Sequence, residues 1–152
     1  MTRTKLIFSF MAPVYAALDN IALAVVRVAA GLFLMPHGAQ KLFGWFDGPG
    51  LEGTGAYMQS VLPIADGYEA ALAAGLVEFF GGLALALGLF TRVAAGAVMV
   101  LLLVALSTHV SSGFFVFNGG FEYALLWLIV VAMFWVKGGG RYALDALIGR
   151  EF

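Results

Sequence analysis

The chain has 152 residues, 62% hydrophobic and 11% charged, with a net charge of −1 and a mean hydropathy of +0.98. A water-soluble domain of this length needs more polar surface, and a chain without a basic run has no footprint for nucleic acid. Cysteine is absent. That excludes thiol chemistry, disulfides and Cys-ligated metal, so redox work would need a bound cofactor or a partner carrying one.

The length suits one domain over residues 1–152. Residues 6–18, behind Arg3 and Lys5, have the look of a signal peptide. Pro13 interrupts them and an apolar segment follows at once, so the preferred reading is an interfacial stretch on the inner leaflet. Four segments are then long enough to cross a bilayer, which takes roughly 20 helical residues. The first covers about residues 21–43, with Asp19 or Asn20 as its N-cap. Next comes the longest loop, where Trp45 and Phe46 suit the outer aromatic belt. Within it Thr54 is expected to cap a short surface helix carrying Tyr57, Met58, Val61 and Leu62, closed by Pro63.

The second segment covers about residues 69–90 and the third about 93–111, with Arg92 in the tight turn between them. The fourth covers about residues 121–136 and stops at Gly138-Gly139-Gly140. The tail beyond Arg141 predicts a short interfacial helix. These segments together predict an all-α integral membrane protein, a four-transmembrane-helix antiparallel bundle. Arg3, Lys5, Arg92, Lys137, Arg141 and Arg150 fall on one side and Lys41 alone near the other. The positive-inside rule therefore puts both termini in the cytoplasm.

Ionisable residues inside apolar helices are costly and usually face a packed interior or cavity. At about 1.5 Å of rise per residue, Arg27 lies roughly 9 Å into the first segment and His37 roughly 24 Å in. His109 reaches the same level on the third segment, Glu78 lies near mid-membrane, and Glu122 opens the fourth. Gln40 and Lys41 lie beside the histidines. Arg27, Gly31, Leu34, Gly38 and Lys41 share one helical stripe, and Glu78, Gly82 and Leu85 share another. Small residues on those faces let helices approach closely, so the charges should point at neighbouring helices.

Two readings of Arg27 and Glu78 remain open: a structural ion pair, or a proton-carrying Glu78 held anionic by Arg27. The histidines read either as interfacial hydrogen-bonding residues or as donors to the carbonyls of a quinone. Two histidines and a carboxylate at this spacing match no known metal-ligand pattern. Trp45, Phe46 and the aromatics at 114–117 read as interface anchors, or as walls around a flat ring.

The run from Arg27 through Gly31 and Phe33 to His37-Gly38 and Lys41-Leu42-Phe43-Gly44 resembles the first-helix pattern of the DoxX family of small bacterial membrane proteins. Glu78-Phe79, Gly81-Gly82, Leu85, Gly88 and Thr91-Arg92 resemble its second-helix pattern. His109, Gly119-Gly120, Glu122-Tyr123 and Gly140-Arg141-Tyr142-Ala143-Leu144-Asp145 resemble its last third. The resemblance implies a bacterial cytoplasmic-membrane protein, and some relatives are subunits of quinone-linked oxidoreductases. It points to Arg27, His37, Lys41, Glu78, His109 and Glu122; in the quinone reading Glu78, His37 and His109 are the reacting groups, and Arg27, Gln40, Lys41, Glu122 and Trp45 hold the ligand. The expected ligand is a quinone, and the expected partners are membrane lipids, an oxidoreductase or a second copy of the chain. A non-catalytic scaffold or lipid-binding protein is the alternative, and a small transporter or channel a third.

Overall fold

The computed structural model describes residues 6–150, all helix, turn or loop with no strand among them. A 3₁₀ turn at Ser9–Met11 runs straight into α1 (Ala12–Phe43). The expected separate interfacial stretch is thus the first turns of one continuous helix. Pro13 does not interrupt it, because it sits in the first turn, where a missing N–H costs nothing. At 32 residues α1 is about 48 Å long, well beyond a hydrocarbon core of about 30 Å. Arg3 and Lys5 lie outside the described residues.

The loop helix α2 (Gly50–Val61) starts four residues before the expected cap. Thr54 is consequently a buried mid-helix residue rather than an N-cap. The second apolar segment is α3 (Gly67–Leu76), a π turn (Val77–Gly81) and α4 (Gly82–Leu87) in unbroken succession. Asp66 caps its start, accepting from the Tyr68 and Glu69 amides at 2.8 and 3.2 Å. Then follow α5 (Thr91–His109), α6 (Glu122–Lys137) and the short α7 (Leu144–Ile148).

Three helical stretches are long and apolar enough to cross a membrane: Ser9–Phe43, Gly67–Leu87 and Thr91–Ser112. The fourth expected span, α6, has only 16 residues, about 24 Å of helix. It packs along α5, and α1 packs along α3 and α4. Ala30, Leu34, Leu85, Ala95, Val98, Val131 and Phe134 form the common core. Val25, Leu32, Val100, Leu103, Leu126 and Ile129 point outward, exposed as lipid-facing side chains would be.

Glycine sets the α1–α4 distance. A Cβ on Gly31 would run into the Gly82 carbonyl, and one on Gly82 would lie 2.7 Å from the Gly31 carbonyl. Higher up, a Cβ on Gly38 would lie 2.5 Å from the Phe79 amide nitrogen. The small-residue stripe read from the sequence is therefore where the backbones touch.

Arg27 does not pair with Glu78. It is 2% exposed and donates from Nη1 to the Leu85 and Ala86 carbonyls at 2.7 and 2.6 Å, and from Nη2 to the Tyr142 carbonyl at 2.9 Å. The first two belong to the last turn of α4, where Leu85 also accepts from the Gly88 amide at 3.1 Å and helical bonding runs out. The tail is held in turn by Asp145, 1% exposed. Its carboxylate accepts from the Phe90 amide at 2.8 Å, the Thr91 amide at 2.9 Å and the Thr91 hydroxyl at 2.7 Å. A residue 54 positions downstream thereby caps the N-terminus of α5. Gly88, at φ +69°, makes the turn possible and leaves room for Ala143 and the guanidinium. The expected short tail helix forms as α7, and through Asp145 it clasps the α4–α5 turn.

Asp145→Ala should lower stability by about 3 kcal/mol, since it strands two buried amides and a hydroxyl. Thr91→Val should cost only about 1 kcal/mol, because it removes one of the three bonds. Thermal unfolding of the two detergent-solubilised variants tests that order.

Candidate functional site

The other polar cluster lies toward the opposite end of the helices. An α-helix repeats every 3.6 residues, and the π turn at Val77–Gly81 adds a residue to that cycle, a device frequent at functional sites. Glu78 is its second residue. Its Oε2 accepts a 2.6 Å bond from Lys41 Nζ, with the two side chains only 13% and 20% exposed. Lys41 also donates to the His37 carbonyl at 3.4 Å. The counter-ion of Glu78 is thus Lys41 and not Arg27. Lys41 lies one turn beyond His37 on α1, whereas Arg27 is spent on carbonyls some ten residues earlier.

A partly enclosed cavity of about 440 Å³ opens beside this pair. Its wall takes His37 from α1, Glu78 from the π turn and His109 from α5, so three distant positions meet at one space. Phe33, Tyr123 and Trp127 supply flat apolar surface, and Gly119 and Gly120 close it from the α5–α6 loop. The size falls within the roughly 300–1,000 Å³ typical of small-molecule sites, and so does the blend of apolar wall with few polar groups.

His109 Nδ1 lies 2.7 Å from the Ala105 carbonyl and 3.0 Å from the Thr108 hydroxyl. The Thr108 hydroxyl itself donates to the Ala105 carbonyl at 2.9 Å. The His37 ring interacts electrostatically with Glu78.

The remaining candidates do not line the cavity. Gln40 donates to the Phe46 carbonyl at 3.4 Å and so shapes the loop after α1. Trp45 stacks on Phe43 at a 5.0 Å centroid distance. Glu122 accepts from the Val116 amide at 3.2 Å and organises the α5–α6 loop. Lys41 acts on the cavity only through Glu78.

The three aromatic wall residues, Phe33, Tyr123 and Trp127, were not read from the sequence as site residues. A signal was there, because Phe33 precedes His37 by one turn and Tyr123 precedes Trp127 by one turn. Trp127 meets Phe33 edge-on at 6.0 Å and Tyr123 at 6.0 Å. It also borders an apolar groove of about 260 Å³ between α1 and α6, lined by Val25, Val26, Ala29, Ala30, Leu126 and Val130. Cavity and groove share that indole. A wider depression of about 790 Å³ beside Arg92 and Trp135 offers one ionisable group, and Arg92 is engaged with the Trp135 and Val136 carbonyls at 3.0 and 2.8 Å.

The DoxX family model matches residues 22–119, which take in α1 to α5 and His37, Lys41, Glu78 and His109. No curated protein and no solved structure matches the chain.

Lys41→Met should cost about 1–3 kcal/mol, because it leaves the Glu78 carboxylate without its cation in a mostly buried place. Adding Glu78→Gln to Lys41→Met should return part of that loss. A double-mutant cycle on thermal unfolding measures the coupling, and purely additive effects would argue against the pair.

Proposed function

The chain belongs to the DoxX family, and we propose that it is a membrane subunit holding a quinone or similar lipophilic ligand for a partner oxidoreductase. One observation carries this reading: His37, Glu78 and His109 come from three helices to one cavity with an aromatic wall. Polar groups in hydrocarbon are expensive, and here they are gathered where a ligand with a polar head and flat ring would fit. The groove between α1 and α6 supplies the other half of such a molecule's needs. It is apolar, faces lipid and shares Trp127 with the cavity, so a ligand's tail can lie there while its head stays among the polar groups.

In this reading α6 is a fourth, short crossing, and the bilayer is the bacterial cytoplasmic membrane with both termini inside. Arg92, Lys137, Arg141 and Arg150 gather at the end that carries the tail clasp, which supports that orientation. Electrons or substrate arrive on a soluble or membrane partner, since the chain carries no dinucleotide fingerprint and no cysteine.

A second reading, a scaffold without ligand, is favoured by Arg27 and Asp145. Both are buried charges engaged with backbone and Thr91, Arg27 through both its terminal nitrogens, and so have a structural task.

Extraction from native membranes followed by mass spectrometry of bound lipids separates the two. Stoichiometric quinone is expected in the wild type, and its loss in Glu78→Gln and His37→Ala variants that still fold. Absence of quinone from every preparation would favour the scaffold. Ala29→Phe, which fills the groove, should weaken a long-tailed quinone about tenfold and leave a tailless analogue unchanged.

A further inference from the structure

The hydrogen-bond inventory of the cavity selects between the two redox forms of such a ligand. A carbonyl oxygen can only accept, so the 2.7 Å contact from His109 Nδ1 to the Ala105 carbonyl requires the proton to be on Nδ1. The Thr108 hydroxyl gives its own proton to the same carbonyl, which leaves its oxygen able to accept from Nδ1–H at 3.0 Å. Both neighbours therefore ask for the same tautomer. In a neutral imidazole protonated at Nδ1, Nε2 is an acceptor. Where His109 is neutral, its Nε2 is thus a lone pair, whereas the sequence suggests a donor.

Glu78 points the same way. Lys41 Nζ pairs with Oε2 at 2.6 Å, and a carboxylate so paired has oxygens that can only accept. Oε1 has no protein partner among the described residues. The Lys41 ammonium is itself spent on Glu78 and the His37 carbonyl. Of the four ionisable wall residues, Glu78 and His109 thus present acceptors, and the Tyr123 hydroxyl can both accept and donate.

A quinone presents two carbonyl acceptors, whereas its reduced form presents two hydroxyl donors. Acceptors facing acceptors leave desolvated lone pairs unpaired, which is costlier than a missing attraction. We infer that the cavity is built for the hydroxyl-bearing, reduced form of an aromatic ligand, with His109 Nε2 and Glu78 Oε1 accepting its O–H groups. The inference rests on the ligand reading above and adds the redox form that the site retains. It also makes Glu78 and His109 specificity-determining residues. The same rule favours any lipophilic phenol over the matching ketone.

The test uses the full chain in nanodiscs and two probes, a decyl-substituted benzoquinone and its chemically reduced hydroquinone, each titrated against tryptophan fluorescence under anaerobic conditions. The hydroquinone should bind about tenfold more tightly, the effect of one well-made hydrogen bond to a charged group. Glu78→Gln and His109→Gln each replace an acceptor by an amide that can also donate, and each should pull the ratio toward one. The His109 variant leaves the Lys41–Glu78 pair intact, so it stands even where loss of that pair impairs folding. Equal binding, or tighter binding of the quinone, by the wild type overturns the inference while leaving the ligand site in place. A preference unchanged in folded Glu78→Gln and His109→Gln also overturns it, since the selection would then lie elsewhere. Binding of neither form removes the ligand reading and the inference together.

Discussion

The Arg27 guanidinium is the contact on which the rest of this structure depends. Within a bilayer no water reaches the carbonyls at a helix end, and every one left unpaired is expensive. Arg27 answers that for the last turn of α4 and, with the same planar group, takes the Tyr142 carbonyl from a segment 115 residues away. Its fork of donors suits this task, where the single ammonium of a lysine would not. Asp145 then does for the start of α5 what Arg27 does for the end of α4. The two charges lie close enough to interact, so each lowers the cost of burying the other. A turn of three residues, two of them at positive φ, is thereby clamped from both sides.

That clamp leaves the opposite end of the helices free to be imperfect. Rigid packing along Gly31 and Gly82 gives way, seven residues further up α1, to a π turn, a charged pair and an open space. Both regions use one charge of each sign, yet to different ends. Asp145 and the two terminal nitrogens of Arg27 are spent on the protein, whereas Glu78 keeps an oxygen without a protein partner beside the cavity. Pairing of Glu78 with Lys41 on the adjoining helix gives its carboxyl group a cation at 2.6 Å without closing the cavity beside it. A buried charge with spare hydrogen-bonding capacity, next to a void of ligand size, is the combination that separates a site from a structural lock.

Much of this molecule was legible in its residues, because a bilayer imposes blunt rules. Apolar runs of twenty residues, small residues on one stripe and costly charges inside helices led to the four main helices, to the α1–α4 contact and to His37, Glu78 and His109. Each inference used only rise per residue, helical phase and the price of charge in hydrocarbon. The same rules overreached at the ends. Pro13 and Asp19 read as boundaries, but continued burial of nothing in particular lets α1 simply run on toward the aqueous side. The run read for α6 held to within a residue at each end, because Gly138, at φ +74°, stops it at Lys137.

What the sequence determined alone was which groups lie at which depth and on which face, since those follow from helical geometry and local composition. Which charge meets which was decided only by the tertiary structure. Opposite sign suggested Arg27 with Glu78, but helix-end carbonyls claimed the arginine and the inserted residue of the π turn accompanies a Glu78 that meets Lys41. The tautomer of His109 was likewise out of reach, because it depends on a backbone carbonyl and a hydroxyl that only the folded α5 brings to Nδ1. Pairing in a membrane interior is a competition among all nearby donors and acceptors, and its outcome is written in three dimensions.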